Sequence, residues 1–390
     1  MKNTLKKDIE ARFGRSILYA AECEELSDHI FDCTETRISA QTLRRIFGFI
    51  KSNVKQSKRT LNSISAYCGY KDYSELVQKN KSPDIFNDTT ITQIIKKFYE
   101  IDFTQPDDYS YHNAAGNFAK LILKNRIINS DLKSFLSKNS IAQIYFFERY
   151  PYIDGVSTSY KNSIKLYLQE KKDNSSQLFG YCLLHLGAIL SLDIHESNLL
   201  LKKINTIGIN TETHPFLKAR FMMANLLNAY MTKNKSEQES ITNKVFEVEK
   251  HEKRGKEVGV VFPYYQYIMA DAFNLIEDFE SSNRMIKISE LDYNRIAEGK
   301  IASGYYEALD LIKAINLVAF KKFEDSKRIL SRIRANDIIF IQHDYFLIQR
   351  LIVELAIGSN KSKKKIKAKV VALIKQTNFI FFKNRLNLIS

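Results

Sequence analysis

The sequence predicts an all-α protein, a small helical N-terminal domain followed by an α-solenoid of helix pairs. Three observations predict it. Only five prolines and thirteen glycines interrupt 390 residues, and apolar residues recur at three- and four-residue spacing, the period of an amphipathic helix. Strand signals are confined to short runs such as VGVVF at 258–262 and DIIFI at 337–341, each heading a longer apolar segment and so read as the start of a buried helix. Texture also changes at QKNKSPDIFNDTT, residues 78–90, which divides the chain into 1–80, a linker at 81–90, and 91–390.

Within the first part, Ile17, Leu18, Ala21, Leu26, Ile30 and Phe31 form a helical stripe through SILYAAECEELSDHIFDC, and the polar TETR follows as a connection. Ser39 stands as an N-cap ahead of AQTLRRIFGFI, where Leu43, Ile46, Phe47 and Ile50 share one face. Gln41, Arg44, Arg45 and Gly48 then point the other way. KSNVKQSKR leads to a further helix with Thr60 near its start and Leu61, Ile64, Ser65 and Cys68 inward. Gly69 terminates it, and Tyr70, Tyr73 and Leu76 pack a short closing helix.

Charge separates the chain unevenly. The net charge is +15, from 59 basic and 44 acidic side chains, and such an excess favours polyanionic partners. Between Arg37 and Lys71 stand eight cations (Arg37, Arg44, Arg45, Lys51, Lys55, Lys58, Arg59, Lys71) and no acid. A second acid-free block follows Glu354 and contains KSKKKIKAK at 361–369, read either as a solvated helix face or as a nucleic-acid contact. A helix with an apolar back and a front of Gln and Arg suits the DNA major groove. Its N-terminal side chains reach base edges, and flanking cations neutralise phosphates.

ISAQTLRRIFGF followed by SKRTLNSISAYCGYKDYSELV resembles an N-terminal helix-turn-helix segment found in many Bacteroidetes proteins, and more distantly the two half-motifs of AraC-type DNA-binding domains. The matching residues are Ile38, Ser39, Thr42, Leu43, Arg45, Gly48 and Phe49, then Thr60, Leu61, Ile64, Tyr67, Gly69, Tyr70, Asp72 and Tyr73. The long helix that links two AraC half-motifs is missing, so two-site docking is not implied. The resemblance implies binding of double-stranded DNA in transcription regulation. The residues that would carry it are Ser39, Gln41, Thr42, Arg44, Arg45, Lys51, Lys55, Lys58 and Arg59.

After residue 90, apolar segments begin near 176, 216, 260, 302 and 340, each followed by a more polar one. An interval of about 40 residues is that of stacked helix pairs, since one pair cannot bury its own apolar face. DFESSNRMI (278–286) and KFEDSKRIL (322–330) overlay, and Phe279 with Ser282, like Phe323 with Ser326, resembles the opening of the second helix of tetratricopeptide-type repeats. The spacing is longer than the usual tetratricopeptide unit and the first-helix signature is not legible. An irregular helical bundle is the alternative.

The chemistry-bearing patterns are few. Four cysteines (Cys23, Cys33, Cys68, Cys182) form no CxxC pair, and seven histidines form no HExxH, so neither a disulfide framework nor a metal site is expected. His185, within CLLHLGAIL, reads as a core histidine. Phosphate-cradling glycine loops and a GxSxG elbow are missing, and no enzyme or cofactor is expected. No run approaches the roughly 18 apolar residues of a membrane span, so the chain reads as soluble and cytoplasmic. Aromatic stretches at 144–153 and 262–268 either line a groove for a protein or peptide ligand or form core between repeats. Self-association as a homodimer, a non-enzymatic interaction scaffold in which the N-terminal part is only a cap, and RNA binding by the basic ends are the other readings.

Overall fold

The computed structural model describes residues 2–17, 19–50, 56–76, 88–101, 109–124, 129–251, 262–293, 304–358 and 360–389. Every regular element among them is a helix, and the chain divides into two compact units, residues 1–93 and 94–390. The linker expected at 81–90 lies mostly outside the described residues, and from Asp88 the chain is helical. Among the described residues no helix is long and apolar enough to cross a membrane.

The first unit is built from α1 (Lys2–Phe13), α2 (Glu22–Thr34), α3 (Ala40–Phe47) and α4 (Lys58–Tyr67). α1 and α2 each pack against both α3 and α4, because their apolar positions converge. Leu5, Ile9, Leu26, Ile30, Leu43, Ile46 and Ile64 are buried in one cluster. Burying an aliphatic side chain of that size contributes about 1.5–3 kcal/mol, so this cluster holds the four helices.

The sequence starts α2 too early. Ile17 is buried but non-helical, its N–H donating to Glu10 Oε1 at 2.8 Å, and the Tyr19 N–H donates to Glu22 Oε2 at 2.8 Å. These bonds hold the preceding segment as a turn, which breaks the helical spacing. Ala21 and Phe31, expected inside, are exposed, and the inward stripe is Cys23, Leu26, Ser27 and Ile30. Leu18 lies outside the described residues. Downstream the expected pattern is present: Ser65 and Leu76 are buried, and Phe47, Leu61, Cys68, Tyr70 and Tyr73 pack on the same cluster.

After α5 (Asp88–Tyr99), α6 (Tyr109–Lys124), α7 (Ser130–Lys138), a π turn at Gln143–Glu148 and α8 (Ser159–Glu170), the second unit is a run of helix pairs. They are α9 (Asn174–Leu190) with α10 (Ile194–Ile207), α11 (Pro215–Met231) with α12 (Lys235–His251), α13 (Tyr264–Leu275) with α14 (Phe279–Tyr293), α15 (Tyr305–Ala319) with α16 (Phe323–Arg332), and α17 (His343–Ile357) with α18 (Asn360–Thr377). α19 (Phe381–Ile389) closes the chain. First members also pack in series, α9 on α11, α11 on α13, α13 on α15 and α15 on α17. DIIFI does not begin a helix. Ile338 and Ile339 are extended between two short 3-10 turns, which lets Ile338 and Ile341 both face inward, and α17 starts only at His343. Of VGVVF, 258–261 lie outside the described residues and Phe262 is non-helical.

One turn recurs inside four of the pairs. Leu192, Lys233, Glu277 and Lys321 all sit in the left-handed region, at φ 59°, 58°, 64° and 59°. In each, the next N–H donates back five residues into the first helix: Asp193 to Ala188 O, Asn234 to Ala229 O, Asp278 to Phe273 O and Lys322 to Leu317 O, at 2.8–2.9 Å. This is the Schellman closure, and it offsets the roughly 1–2 kcal/mol that a side chain costs in that conformation. Asp193, Asn234 and Asp278 then cap the second helix by accepting from the N–H three residues on, at 3.0, 3.2 and 3.1 Å. Buried serines repeat as well. Ser282 donates to Ala270 O at 2.8 Å and Ser326 to Ala314 O at 2.9 Å, so a small residue lets the paired helices approach at the two places the sequence overlay had matched.

Candidate nucleic-acid interface

The N-terminus of α3 is made by a serine cap. Ser39 Oγ accepts the Thr42 N–H at 3.3 Å and lies 2.9 Å from Thr42 Oγ1. Its C-terminus is closed by Gly48, at φ +87°, and by Lys6, whose ammonium donates to Phe47 O at 2.8 Å. That places a cation on the negative end of the helix dipole. Ser39 and Thr42, two of the candidate contact residues, are therefore engaged in capping. Gln41 is exposed on the first turn.

The arginines of α3 have different surroundings. Arg44 Nε donates to Ala20 O at 2.9 Å and its Nη2 meets Glu24 Oε1 at 2.8 Å. Its side chain is 28% exposed, against 71% for Glu24. Arg44 thus ties α3 to the start of α2, and its charge pulls on the neighbouring Cys23 thiol, which burial pushes up. Arg45 is half-buried, and its Nε has no hydrogen-bond partner among the described residues. Arg37 faces Asp28 at 3.5 Å. The eight cations that no acid accompanies in sequence are accordingly not all uncompensated in space. α2 supplies carboxylates to two of them, because the fold packs an acidic helix beside a basic one.

α4 repeats the capping device of α3. Ser57 Oγ accepts the Thr60 N–H at 3.1 Å and lies 2.9 Å from Thr60 Oγ1. The S-x-x-T spacing at 39–42 recurs at 57–60, a local signal that marks Ser57 as the cap of α4 as Ser39 is of α3. Lys58 and Arg59, on the first turn of α4, are exposed and take part in no ion pair among the described residues. Lys71 is exposed too. Lys51 and Lys55 lie outside the described residues. Of the candidate set, then, Gln41, Lys58 and Arg59 stand free for a ligand, Ser39 and Thr42 cap, and Arg44 anchors.

The second unit keeps its unusual polar groups inside. Asp154, in a 3-10 turn at Ile153–Gly155, accepts the Asp344 N–H at Oδ2 and the Tyr345 N–H at Oδ1, both at 2.8 Å. It caps α17 across 190 residues of sequence, where Gln342, the local N-cap residue, makes no side-chain cap bond. Burial pushes its carboxyl up to about 7, opposed by those two backbone donors. Asp271 Oδ2 accepts the Tyr345 hydroxyl at 2.8 Å while Oδ1 has no partner among the described residues, and burial pushes this carboxyl up to about 6. Gln342 Nε2 donates to Tyr267 OH at 2.6 Å. Between Arg220, Tyr267, Asp271, Gln342 and Tyr345 lies a cavity of about 10 Å³, room for about one water. The cluster joins helices and has no space for a larger molecule.

Neither this cluster nor its members were legible in the sequence, since the partners are 74–191 residues apart. His185 is 1% exposed and held neutral, pushed down to about 3 by burial. The aromatic stretches are core: Phe146, Phe147 and Tyr265 are fully buried. Among the described residues no three His, Cys, Asp or Glu side chains gather as metal ligands would. Comparison with protein-family models, with curated proteins and with solved structures finds no match to this chain.

Proposed function

We propose that this chain is a DNA-binding transcription regulator. In this reading residues 1–80 act as a helix-turn-helix unit on double-stranded DNA, and the second unit is a tetratricopeptide-like α-solenoid that holds a protein or peptide partner or mediates self-association. The observation that carries the reading is the first turn of α4. There Lys58 and Arg59 project, exposed and without an ion pair among the described residues, from a serine-capped helix end. A helix N-terminus favours phosphate oxygens through its free N–H groups and dipole, and neighbouring cations add to it. The exposed Gln41 on α3, a residue type that bonds adenine bidentately, supports base reading beside it. The recurring turn and the buried Ser282 and Ser326 contacts support the solenoid part.

A second reading, an interaction scaffold in which the first unit only caps the second, draws on Arg44, whose guanidinium is already taken up by Glu24 and Ala20. Anisotropy of a labelled duplex of about 30 bp with the whole 390-residue chain separates the two. Lys58→Glu with Arg59→Glu is expected to weaken binding by about tenfold or more at low salt, each reversal costing phosphate contacts. Unchanged affinity, or no binding by the parent protein, favours the scaffold.

A further inference from the structure

The lysine-rich run at 361–369 lies in α18, outside the first unit and its candidate contact residues. Lys364, Lys365, Lys367, Lys369 and Lys375 are exposed and Lys363 is half-exposed. None of the six pairs with a carboxylate among the described residues, and no Asp or Glu occurs between residues 355 and 390. The apolar side of the helix is already committed, with Val370 at 0% and Ile374 at 8% exposure where α18 packs on α17.

This arrangement works against the helix itself. Cations near a helix N-terminus oppose the macrodipole, and α18 has no acid in its first turn to offset them. Lys363 with Lys367 and Lys365 with Lys369 are like charges four residues apart, which also destabilises a helix. A ligand carrying closely spaced negative charge relieves both penalties.

We infer that the outer face of α18 is a docking surface for the phosphate backbone of double-stranded DNA, read without base specificity. The inference deepens the DNA-binding reading and rests on it. The chemistry of the face selects among polyanions. All its cations are lysines, point charges that suit phosphate oxygens and lack the bidentate fork that reads guanine. α18 contains no aromatic residue, so it offers nothing for unpaired bases to stack on, as single-strand binding requires. Membrane adsorption needs a free apolar face, and here only Val371, 52% exposed, stands among the lysines. From Lys364 to Lys375 the helix rises about 17 Å, matching the axial span of about five phosphates on one strand.

The test uses the whole 390-residue chain and compares the parent with K364Q/K365Q/K367Q/K369Q/K375Q and with K58Q/R59Q. Affinity for a duplex of about 30 bp is measured from about 50 to 200 mM KCl. The five-lysine variant, melting at or above the parent temperature, is expected to lower the log–log salt slope by about 3–5, close to one per phosphate released. A parent that binds and a five-lysine variant of unchanged slope overturn the α18 inference and leave the first unit's role standing. A slope lowered by the five-lysine variant but untouched by K58Q/R59Q overturns the first unit's role and keeps this one. Tighter binding to a single-stranded RNA of equal length, or five-lysine-dependent capture by phosphatidylserine vesicles with no duplex binding, overturns it in favour of those surfaces.

Discussion

Each of the two acid-free blocks of the sequence, 37–71 and 355–390, holds both compensated and uncompensated cations, with Lys58 and Arg59 unpaired among the described residues of the first and Arg385 of the second facing Glu277 at 3.7 Å, and the sharpest contrast lies between α3 and α18. In the first, Arg44 is bound by Glu24 and Ala20 O and Arg37 faces Asp28, because α2 brings its carboxylates alongside. In the second, six lysines of α18 face no carboxylate among the described residues. Lack of acids along a chain therefore does not mean lack of acids across the fold. What decides the electrostatic role of a cation is the helix packed beside it. A parallel contrast holds inside. The first unit is held by an apolar cluster with its charges at the rim, whereas the second sinks Asp154, Asp271, Asn274 and Asn316 into its interior.

That contrast is most exposed to disproof at Asp154. Asp154→Ala leaves the Asp344 and Tyr345 N–H groups without their acceptor, and is expected to cost about 2–6 kcal/mol, about 1–3 for each donor left unsatisfied. Denaturant unfolding followed by circular dichroism checks it. A loss below about 1 kcal/mol would remove the interior half of the comparison.

Asp271 gives the next effect, and it depends on pH. Its folded carboxyl is pushed up to about 6 by burial, against the help of Tyr345 and the Arg220 and Arg385 charges, while an unfolded aspartate titrates near 3.9. Its contribution to stability is therefore fully present below about pH 4 and is lost as pH rises through about 6. Asp271→Asn, which mimics the protonated form and can still accept from Tyr345, should be more stable than the parent by on the order of 2–3 kcal/mol at about pH 8. The gain should vanish near pH 4 in thermal melts. A difference independent of pH would mean that Asp271 does not change its proton occupancy on folding.

Arg44→Ala removes one hydrogen bond to Ala20 O and one ion pair with a largely exposed Glu24, and should cost about 1 kcal/mol, mostly through the first. Ser57→Ala, loss of an N-cap, falls in the same range at about 0.5–2 kcal/mol. The five α18 substitutions should leave stability within about 0.5 kcal/mol or raise it slightly, since they relieve like-charge contacts. If Arg44→Ala were as silent as they are, the anchoring of Arg44 would not set α3 apart from α18.

How much of this was readable in advance follows from the distance over which each feature is decided. Helical periodicity and serine caps are local, so the inward faces of α3 and α4 and the five first helices, starting at 174, 215, 264, 305 and 343, lay close to the segments marked by apolar texture. The start of α2 did not, because Glu10 and Glu22 side chains hold residues 17 and 19 in a turn that apolar spacing cannot register. Phe31 is exposed, because the face of α2 that turns inward is the one carrying Cys23, Leu26, Ser27 and Ile30. Of the candidate site, Ser39 and Gln41 could be assigned from position in the helix. The engagement of Arg44 could not, since it depends on a carboxylate 20 residues away. The Asp154 cap spans 190 residues and leaves no local mark at all. The left-handed turn residues carry ordinary side chains, Leu, Lys, Glu and Lys, where glycine would have announced them.

The most direct measurement is the salt dependence of duplex binding by the unmodified 390-residue chain. Affinity falling steeply and linearly on a log–log scale, by about 10³-fold or more between about 50 and 200 mM KCl, is what cations free to release phosphate counterions predict. Affinity that stays flat across that range, or no binding at the lowest salt, would contradict it.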